Sequence, residues 1–509
     1  MIGKRPVLYI SLLVILMVTI PFIYATLVSN EGLVFGGFLI NPIDGNSYLA
    51  KMYQGYRGDL KFLLPYSSTQ GDGAYLFMFY LAIGHLARLS GLPLLLMFHI
   101  FRVLFGGFLM WTIWELIKAI FENQYYRILG YSLSVLGSGL GWIAILFGKF
   151  SSDFWVSEGY PFLSIYTNPH FSFGLGLFIL ALIPSRMETD IPYLILGLLL
   201  GIVQPFAVVI LLLVLFARTI MELVNAPGNF RSRIKNNKSL LKLIFIGLSG
   251  GGILFYQYWT ISTDPILSVW NNQNVTKSPD LLDLTISFSP CLILAFFGMK
   301  RAWKTDLGKT LVFWALISII LVFVPWNLQR RFLTGLFIPL AGLTVFGITQ
   351  LTARFKLSRK TLTIILFFLV IPTNLIVVFS GINAVAKKDS QIYLNSSIIN
   401  ATKWIESFTD KNALILADKN SGLLIPAKTG RRVIYGHPFE TINSEKEELF
   451  VEEFFTGKQP LEDIQKVLEQ RRIDYVLSTI VYSSLNQKLL DLEYPLVYEK
   501  DDVVIYKIK

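Results

Sequence analysis

A polytopic α-helical membrane protein closed by a small C-terminal α/β domain is the architecture that the sequence predicts. Three observations carry it. Of 509 residues, 53% are hydrophobic and only 16% are charged, against roughly 25% charged in soluble domains. Apolar runs near the ~20 residues needed to cross a bilayer recur along the first 385 positions. Beyond residue 385 the composition becomes that of an ordinary soluble domain.

The first element is the apolar run Val7–Leu27, preceded by Lys4 and Arg5. It is long, and no clear small-x-small cleavage site follows, so a retained first helix is expected. The net charge of +11 does not point to nucleic acid, and no such partner is expected. The basic residues sit in short loops between apolar runs, as they do on the cytoplasmic side of membrane proteins. Cys291 is the only cysteine. It lies in an apolar run, so no intramolecular disulfide is possible and the redox compartment stays open.

With Lys4 and Arg5 inside, the loops 118–127, 186–190, 225–238, 300–309 and 354–360 are all placed inside as well. About eleven spans satisfy this: 7–28, 93–117, 129–148, 169–184, a pair across 191–224, 240–259, 287–299, 310–326, 332–353 and 361–384. Gln204-Pro205 marks a tight outer turn within the pair. Residues 74–91 carry His85 and Arg88 and read as an interfacial helix on the outer side. An odd total puts the N-terminus inside and the tail outside. The expected domains are therefore a membrane domain, 1–385, with a long first outer loop (29–92), and an extracytoplasmic domain, 386–509. In that tail, helices are expected over 396–408 and 462–472, and strands over 413–418, 431–435, 473–479 and 502–508.

Three outer loops carry the chemistry-bearing residues. The first holds Asp44, in "INPIDGNSYLAKM"; an Asp-Gly pair in a loop is also an ordinary turn signal. The second holds Asp153, Glu158 and His170, which alone read as solvated carboxylates and a helix-capping residue. The third, "VPWNLQRRF", holds Gln329, Arg330 and Arg331. Two adjacent arginines on the outer side oppose the positive-inside bias and are costly near hydrocarbon unless paired. Guanidinium suits phosphate through forked hydrogen bonds, although snorkelling to lipid headgroups is the plain alternative. Together these loops supply a general base and a phosphate cradle, the two parts that transfer from a phosphate-activated donor to a hydroxyl needs. Tyr48, Tyr53, Tyr56 and Tyr66 read as interfacial aromatics. No Walker loop, HExxH or CxxC motif is present.

In this order of parts the chain resembles the GT-C superfamily, polytopic glycosyltransferases that mostly use polyprenyl-phosphate-linked sugars. The first-loop "INPIDGNSYLAKM", the Arg-containing helix "FRVLFGGFLMWTIWELIKAIF" (101–121), the second acidic loop with Asp153 or Glu158, "LQRRFLTGLFIPLAG" (328–342) and "ALILADKNSGLLIPAKTGRRVIYGHPFET" (413–441) carry the likeness. The resemblance implies that Asp44 is the catalytic base and that Arg330 or Arg331 binds the donor phosphate, with Gln329 beside them. It implies a polyprenyl-phosphate-linked sugar donor, a glycan, lipid or protein acceptor, surrounding membrane lipids and a multi-pass place in the cell (cytoplasmic) membrane. Several members carry a paired acidic motif in the first loop, whereas Gly45 follows Asp44 here. That departure favours a metal-independent reaction, with a divalent ion held by Asp44 and Asp153 as the alternative. A polytopic transporter or lipid flippase is the other functional reading, but no paired repeat is visible and the intramembrane charges it calls for are few.

Overall fold

The computed structural model describes residues 4–183, 191–227, 229–235 and 237–509. The expected basic loop 186–190 lies outside the described residues. Every apolar run expected to span contains helix where it is described, but the helices differ in reach. Among the described residues, six helices are long and apolar enough to cross a membrane: Arg5–Leu27, Leu94–Ile120, Pro205–Asn225, Lys238–Thr263, Gln329–Phe355 and Arg359–Ala386. Two further runs are broken. Gln124–Leu136 bends by 43° into Gly141–Phe147, and Leu281–Phe288 bends by 76° into Cys291–Ala302. Counting each bent pair as one span gives eight, so length supports six to eight crossings rather than eleven. The shorter apolar helices Pro169–Leu182 and Ile191–Val203 have 14 and 13 residues. At a rise of about 1.5 Å per residue they fall short of the roughly 30 Å hydrocarbon core. The chain breaks at Gln204, between Ile191–Val203 and Pro205–Asn225, with proline at the first turn of the second helix.

The described chain forms two compact units. The first comprises Met1–Pro21, His99–Tyr256 and Thr276–Ile382; the second comprises Phe22–Phe98, Gln257–Val275 and Asn383–Lys509. The second unit therefore joins the first loop to the tail.

Within it, β1 (Leu33–Phe35) pairs antiparallel with β2 (Tyr393–Asn395), Leu33 facing Asn395. The main sheet contains β3 (Leu414–Leu416), β4 (Arg432–Val433), β5 (Tyr475–Thr479), β6 (Leu496–Lys500) and β7 (Val503–Lys507), in the order β4-β3-β5-β7-β6. β3 runs parallel to both neighbours, whereas β7 is antiparallel to β5 and β6. Alternation along each strand sends successive side chains to opposite faces. Leu414, Leu416, Val476, Val504 and Tyr506 pack against Phe454, Phe455, Leu485 and Leu489. Ile415, Leu477, Val503 and Ile505 join Ala401, Ile405 and Ile425, and that second core also takes Ala50 and Tyr66 from the first loop. One face of the tail sheet is thus completed by a segment more than 300 residues earlier.

The expected tail elements are present, the helix Ser396–Phe408 with the bounds read and the strands shorter than read. The helices Lys419–Thr429, Ser444–Phe455 and Ser483–Asp491 and strand β6 were not anticipated. In the first loop the helix Met78–Ser90 lies against the helix Pro42–Arg57 at backbone distance. A Cβ on Gly55 would sit 2.0 Å from the Leu81 carbonyl, and one on Gly84 1.9 Å from that of Met52. No side chain fits between the two backbones.

Gly84→Ala is expected to destabilise by about 1–3 kcal/mol, the usual cost of overpacking, and to lower the melting temperature in detergent. Gly251→Ala, where a Cβ meets nothing within 4 Å, serves as the control. Equal melting temperatures for the two variants would contradict the close packing.

Candidate active site

Asp44 does not sit in a turn. It occupies the first turn of the helix Pro42–Arg57, where the sequence holds the usual start signals: Asn41 at the N-cap and Pro42 at the first helical position. Asn41 adopts a left-handed conformation (φ 48°), its Oδ1 accepts from Asp44 N at 3.3 Å, and its Nδ2 donates to Asp44 Oδ2. A carboxylate at this position is favoured by the helix dipole. Gly45 follows because a Cβ there would meet the Phe38 ring at 2.4 Å. The glycine after Asp44 therefore serves packing.

One turn further, the same helix carries Ser47 and Lys51. Lys51 is 1% exposed, and its ammonium forms an ion pair with Glu440, 10% exposed, from the tail loop 435–441. Ser47 Oγ donates to the same Glu440 oxygen at 2.5 Å. Burial opposes charge on Glu440, but Lys51, His437 and the hydrogen bonds from Lys51 and Ser47 together hold its carboxyl below the ordinary glutamate range. His437 lies three residues before Glu440, with Nε2 3.6 Å from Asp44 Oδ1. Asp44 is 38% exposed, so it is the open carboxylate in front of a buried polar cluster. Tyr48 stacks on Tyr80 at 4.5 Å. Tyr66 is buried and donates to the Leu423 carbonyl, and Tyr53 donates to Glu406. Tyr53 and Tyr66 thus brace the unit and are not interfacial.

In the first unit, Glu158 is 4% exposed and receives both arginines of "LQRRF": Arg331 Nη1 at 3.2 Å and Arg330 Nε at 3.6 Å. Arg330 also lies over the Trp155 ring at 4.9 Å, a cation–π contact. The pair stands on the 3₁₀ turn Gln329–Leu333, which leads into the helix Phe337–Phe355. The turn is tied to the Glu158 segment by a hydrogen bond from Gly335 N to the Glu158 carbonyl. Glu158 is therefore a buried counter-ion that sets two guanidiniums side by side.

No protein-family model and no curated protein matches the sequence. Solved structures do. The oligosaccharyltransferase AglB of Archaeoglobus fulgidus, in its apo form, aligns with 95% of this chain and 71% of its own at a TM-score of 0.56 and 12% identity. The same enzyme in complex with an inhibitory peptide and a dolichol-phosphate covers 99% and 74% at 0.53. The arabinofuranosyltransferase AftD from mycobacteria aligns with 99% of this chain but 40% of its own, at 0.58 and 11% identity. The fold is that of the GT-C membrane glycosyltransferases.

On this GT-C fold the sequence-predicted residues divide. Glu158, Arg330 and Arg331 converge in the first unit, and Asp44 belongs to the second. Gln329 is committed at both ends of its amide, accepting from Ser278 N and donating to the Val324 carbonyl. His170 packs its ring on Phe171 at 4.0 Å in the first turn of Pro169–Leu182. Asp153 is fully buried and accepts from Ser151 Oγ at 2.7 Å, Gly141 N at 3.0 Å and Gly139 N at 3.1 Å. Burial pushes its carboxyl above the ordinary aspartate range, against those hydrogen bonds. Asp283, beside it in the same knot, accepts from Ser152 and Ser287.

This bears on a divalent ion at Asp44 and Asp153. The Asp153 oxygens already face donors, and among the described residues no three His, Cys, Asp or Glu side chains converge as a metal set. This donor set does not fit a divalent ion.

Sequence reading missed Lys51 and Glu440. Lys51 lies within the buried run Leu49–Tyr53 at i+4 from Ser47, and a buried lysine requires a counter-charge.

Because the folded Glu440 carboxyl titrates below its ordinary 4.5, its stabilisation is present above that value and is lost as pH falls through the depressed folded value. Glu440→Gln should lower the melting temperature strongly at neutral pH, since breaking a buried pair costs about 3–5 kcal/mol. The gap to the native chain should narrow on acidification below pH 4.5. A gap independent of pH would count against the ion pair.

Proposed function

We propose that this chain is a glycosyltransferase that moves a sugar from a polyprenyl-phosphate-linked donor to an acceptor hydroxyl or amide at the extracytoplasmic membrane face. The observation that carries the reading is Asp44 itself, a solvent-open carboxylate held at a helix start and backed by buried charge. In the reaction, Asp44 accepts the acceptor's proton while the acceptor atom forms its bond to the anomeric carbon. The bond from that carbon to the phosphate oxygen breaks, and the electron pair leaves with the polyprenyl phosphate. That group departs as a stable anion and needs little acid assistance. Within the first unit, Glu158 holds Arg330 and Arg331 side by side, and forked guanidinium donors of that kind suit the phosphate of such a donor.

The GT-C fold supports a transferase, and AglB, a structural neighbour, is seen with a dolichol-phosphate and a peptide. For this chain the acceptor class stays broad: a glycan, a lipid or a protein. In this reading the N-terminus lies inside, residues 1–385 form the membrane part and residues 386–509 the extracytoplasmic part. Whichever way the chain is threaded, it is a multi-pass membrane protein.

Transfer from radiolabelled polyprenyl-phosphate sugars to membrane acceptors tests the reading. Asp44→Asn should lower kcat by about 10²–10⁴-fold, the range of a lost general base, with a loss of stability no larger than the ~0.3–1 kcal/mol of a carboxylate at a helix start. Arg330→Gln and Arg331→Gln should raise the donor KM by about tenfold, the loss of a charge-assisted hydrogen bond. Undiminished transfer by the Asp44 variant would sink the assignment. Translocation of the labelled lipid without sugar transfer would instead identify a flippase.

A further inference from the structure

The loop that carries Glu440 also carries a group the proposed reaction has not used. His437 is almost fully buried, with 2% of its side chain exposed, in a turn closed by Thr441. Gly436 N and His437 N both donate to Thr441 Oγ1, at 3.4 and 3.3 Å. Its Nδ1 accepts from Phe439 N at 3.1 Å. A neutral imidazole that accepts at Nδ1 carries its proton on Nε2. That Nε2 faces Asp44 Oδ1 at 3.6 Å and, among the described residues, makes no hydrogen bond. The other charged or titratable groups around it are Glu440 on its own loop, Lys51 on the Asp44 helix and Tyr66 from the first loop, whose ring centroid is 5.5 Å away.

Resting on the function proposed above, we infer that His437 is the positioning residue for Asp44. The tail then supplies half of the acid–base unit. Asp44 Oδ2 is held by Asn41 Nδ2, and Oδ1 faces the Nε2 proton donor of His437. A small rotation about the Asp44 side chain shortens 3.6 Å to hydrogen-bond distance, and apo geometry at such pairs is commonly long. With both oxygens fixed, one lone pair is aimed at the incoming acceptor proton. Burial matters because a donor shielded from water holds its acceptor more firmly than an exposed one. The Phe439 N–H fixes the tautomer, as a backbone partner does for many working histidines.

Two near-isosteric substitutions separate this role from a merely structural one. In His437→Gln the amide nitrogen falls near the position of Nε2 and keeps a donor toward Asp44, but the bond from Phe439 N is lost. In His437→Asn the side-chain oxygen falls near Nδ1 and keeps the Phe439 bond, but nothing reaches Asp44. Positioning requires His437→Gln to retain at least about a fifth of native kcat. It requires His437→Asn to lose about 10–100-fold, the cost of a misplaced catalytic group, with donor KM within about twofold in both. The reverse order, or equal activity, overturns the inference and leaves His437 a brace of the turn. If Asp44→Asn transfers normally, the function reading fails instead.

A second measurement needs no activity. The chain has four histidines, so ¹⁵N-histidine spectra of the purified full chain can follow His437, assigned by its loss in His437→Asn. Replacing the Asp44 carboxylate with an amide in Asp44→Asn should move the His437 Nε2 resonance, because Nε2 faces Asp44 Oδ1 at 3.6 Å. An unmoved resonance would show that the two groups do not face each other and would overturn the inference.

Discussion

The second unit depends on one buried contact, the ammonium of Lys51 against the carboxylate of Glu440. An isolated charge in that position would be too costly to keep, so neither partner can be placed without the other. The pair fixes the Asp44 helix against the tail loop, and three consequences follow from that one constraint. The start of the helix is presented with Asp44 open. The loop 435–441 comes close enough to bring His437 to 3.6 Å from Asp44. The tail sheet receives Ala50 and Tyr66 into its second core. A buried ion pair contributes little net stability compared with a well-packed apolar pair, and here its worth lies in specifying which helix meets which loop.

The first unit repeats the logic with the stoichiometry changed. Glu158 receives Arg330 and Arg331, and Trp155 covers the face of Arg330. The two arginines stand out in the sequence because they break the charge pattern of the loops. Glu158 also stands out, but as one acidic residue among several, and only packing shows that it serves the arginines while Asp153 ties a backbone knot. A carboxylate whose oxygens accept from Gly139 N, Gly141 N and Ser151 Oγ has little capacity left for a ligand. In the sequence it looks the same as one that is open.

What the sequence makes legible is helix placement and chain order. Apolar periodicity located helices within the expected membrane runs but not how many of them cross, because burial in lipid or in a helical bundle imposes the same composition. It does not record bends, so the run over 287–299 reads as one span although the chain turns by 76° between Phe288 and Cys291. Local signals at Asn41 and Pro42 outweigh the turn preference of Asp44-Gly45, and an accounting of helix caps would have placed Asp44 correctly. The partnership of Lys51 with Glu440 is illegible for a different reason. It joins residues 389 positions apart, and no local pattern encodes such a distance.

That separation also orders the biosynthesis of the protein. At translation rates of about 5–20 residues per second, Lys51 emerges on the order of half a minute before the carboxylate that neutralises it. Until then the helix Pro42–Arg57 carries a lysine whose buried site does not yet exist, and β1 waits equally for β2. The front of the site therefore cannot close as it is made. Its first loop must stay solvated while the membrane helices assemble, and maturation of the Asp44 cluster is a late event, triggered by arrival of the tail.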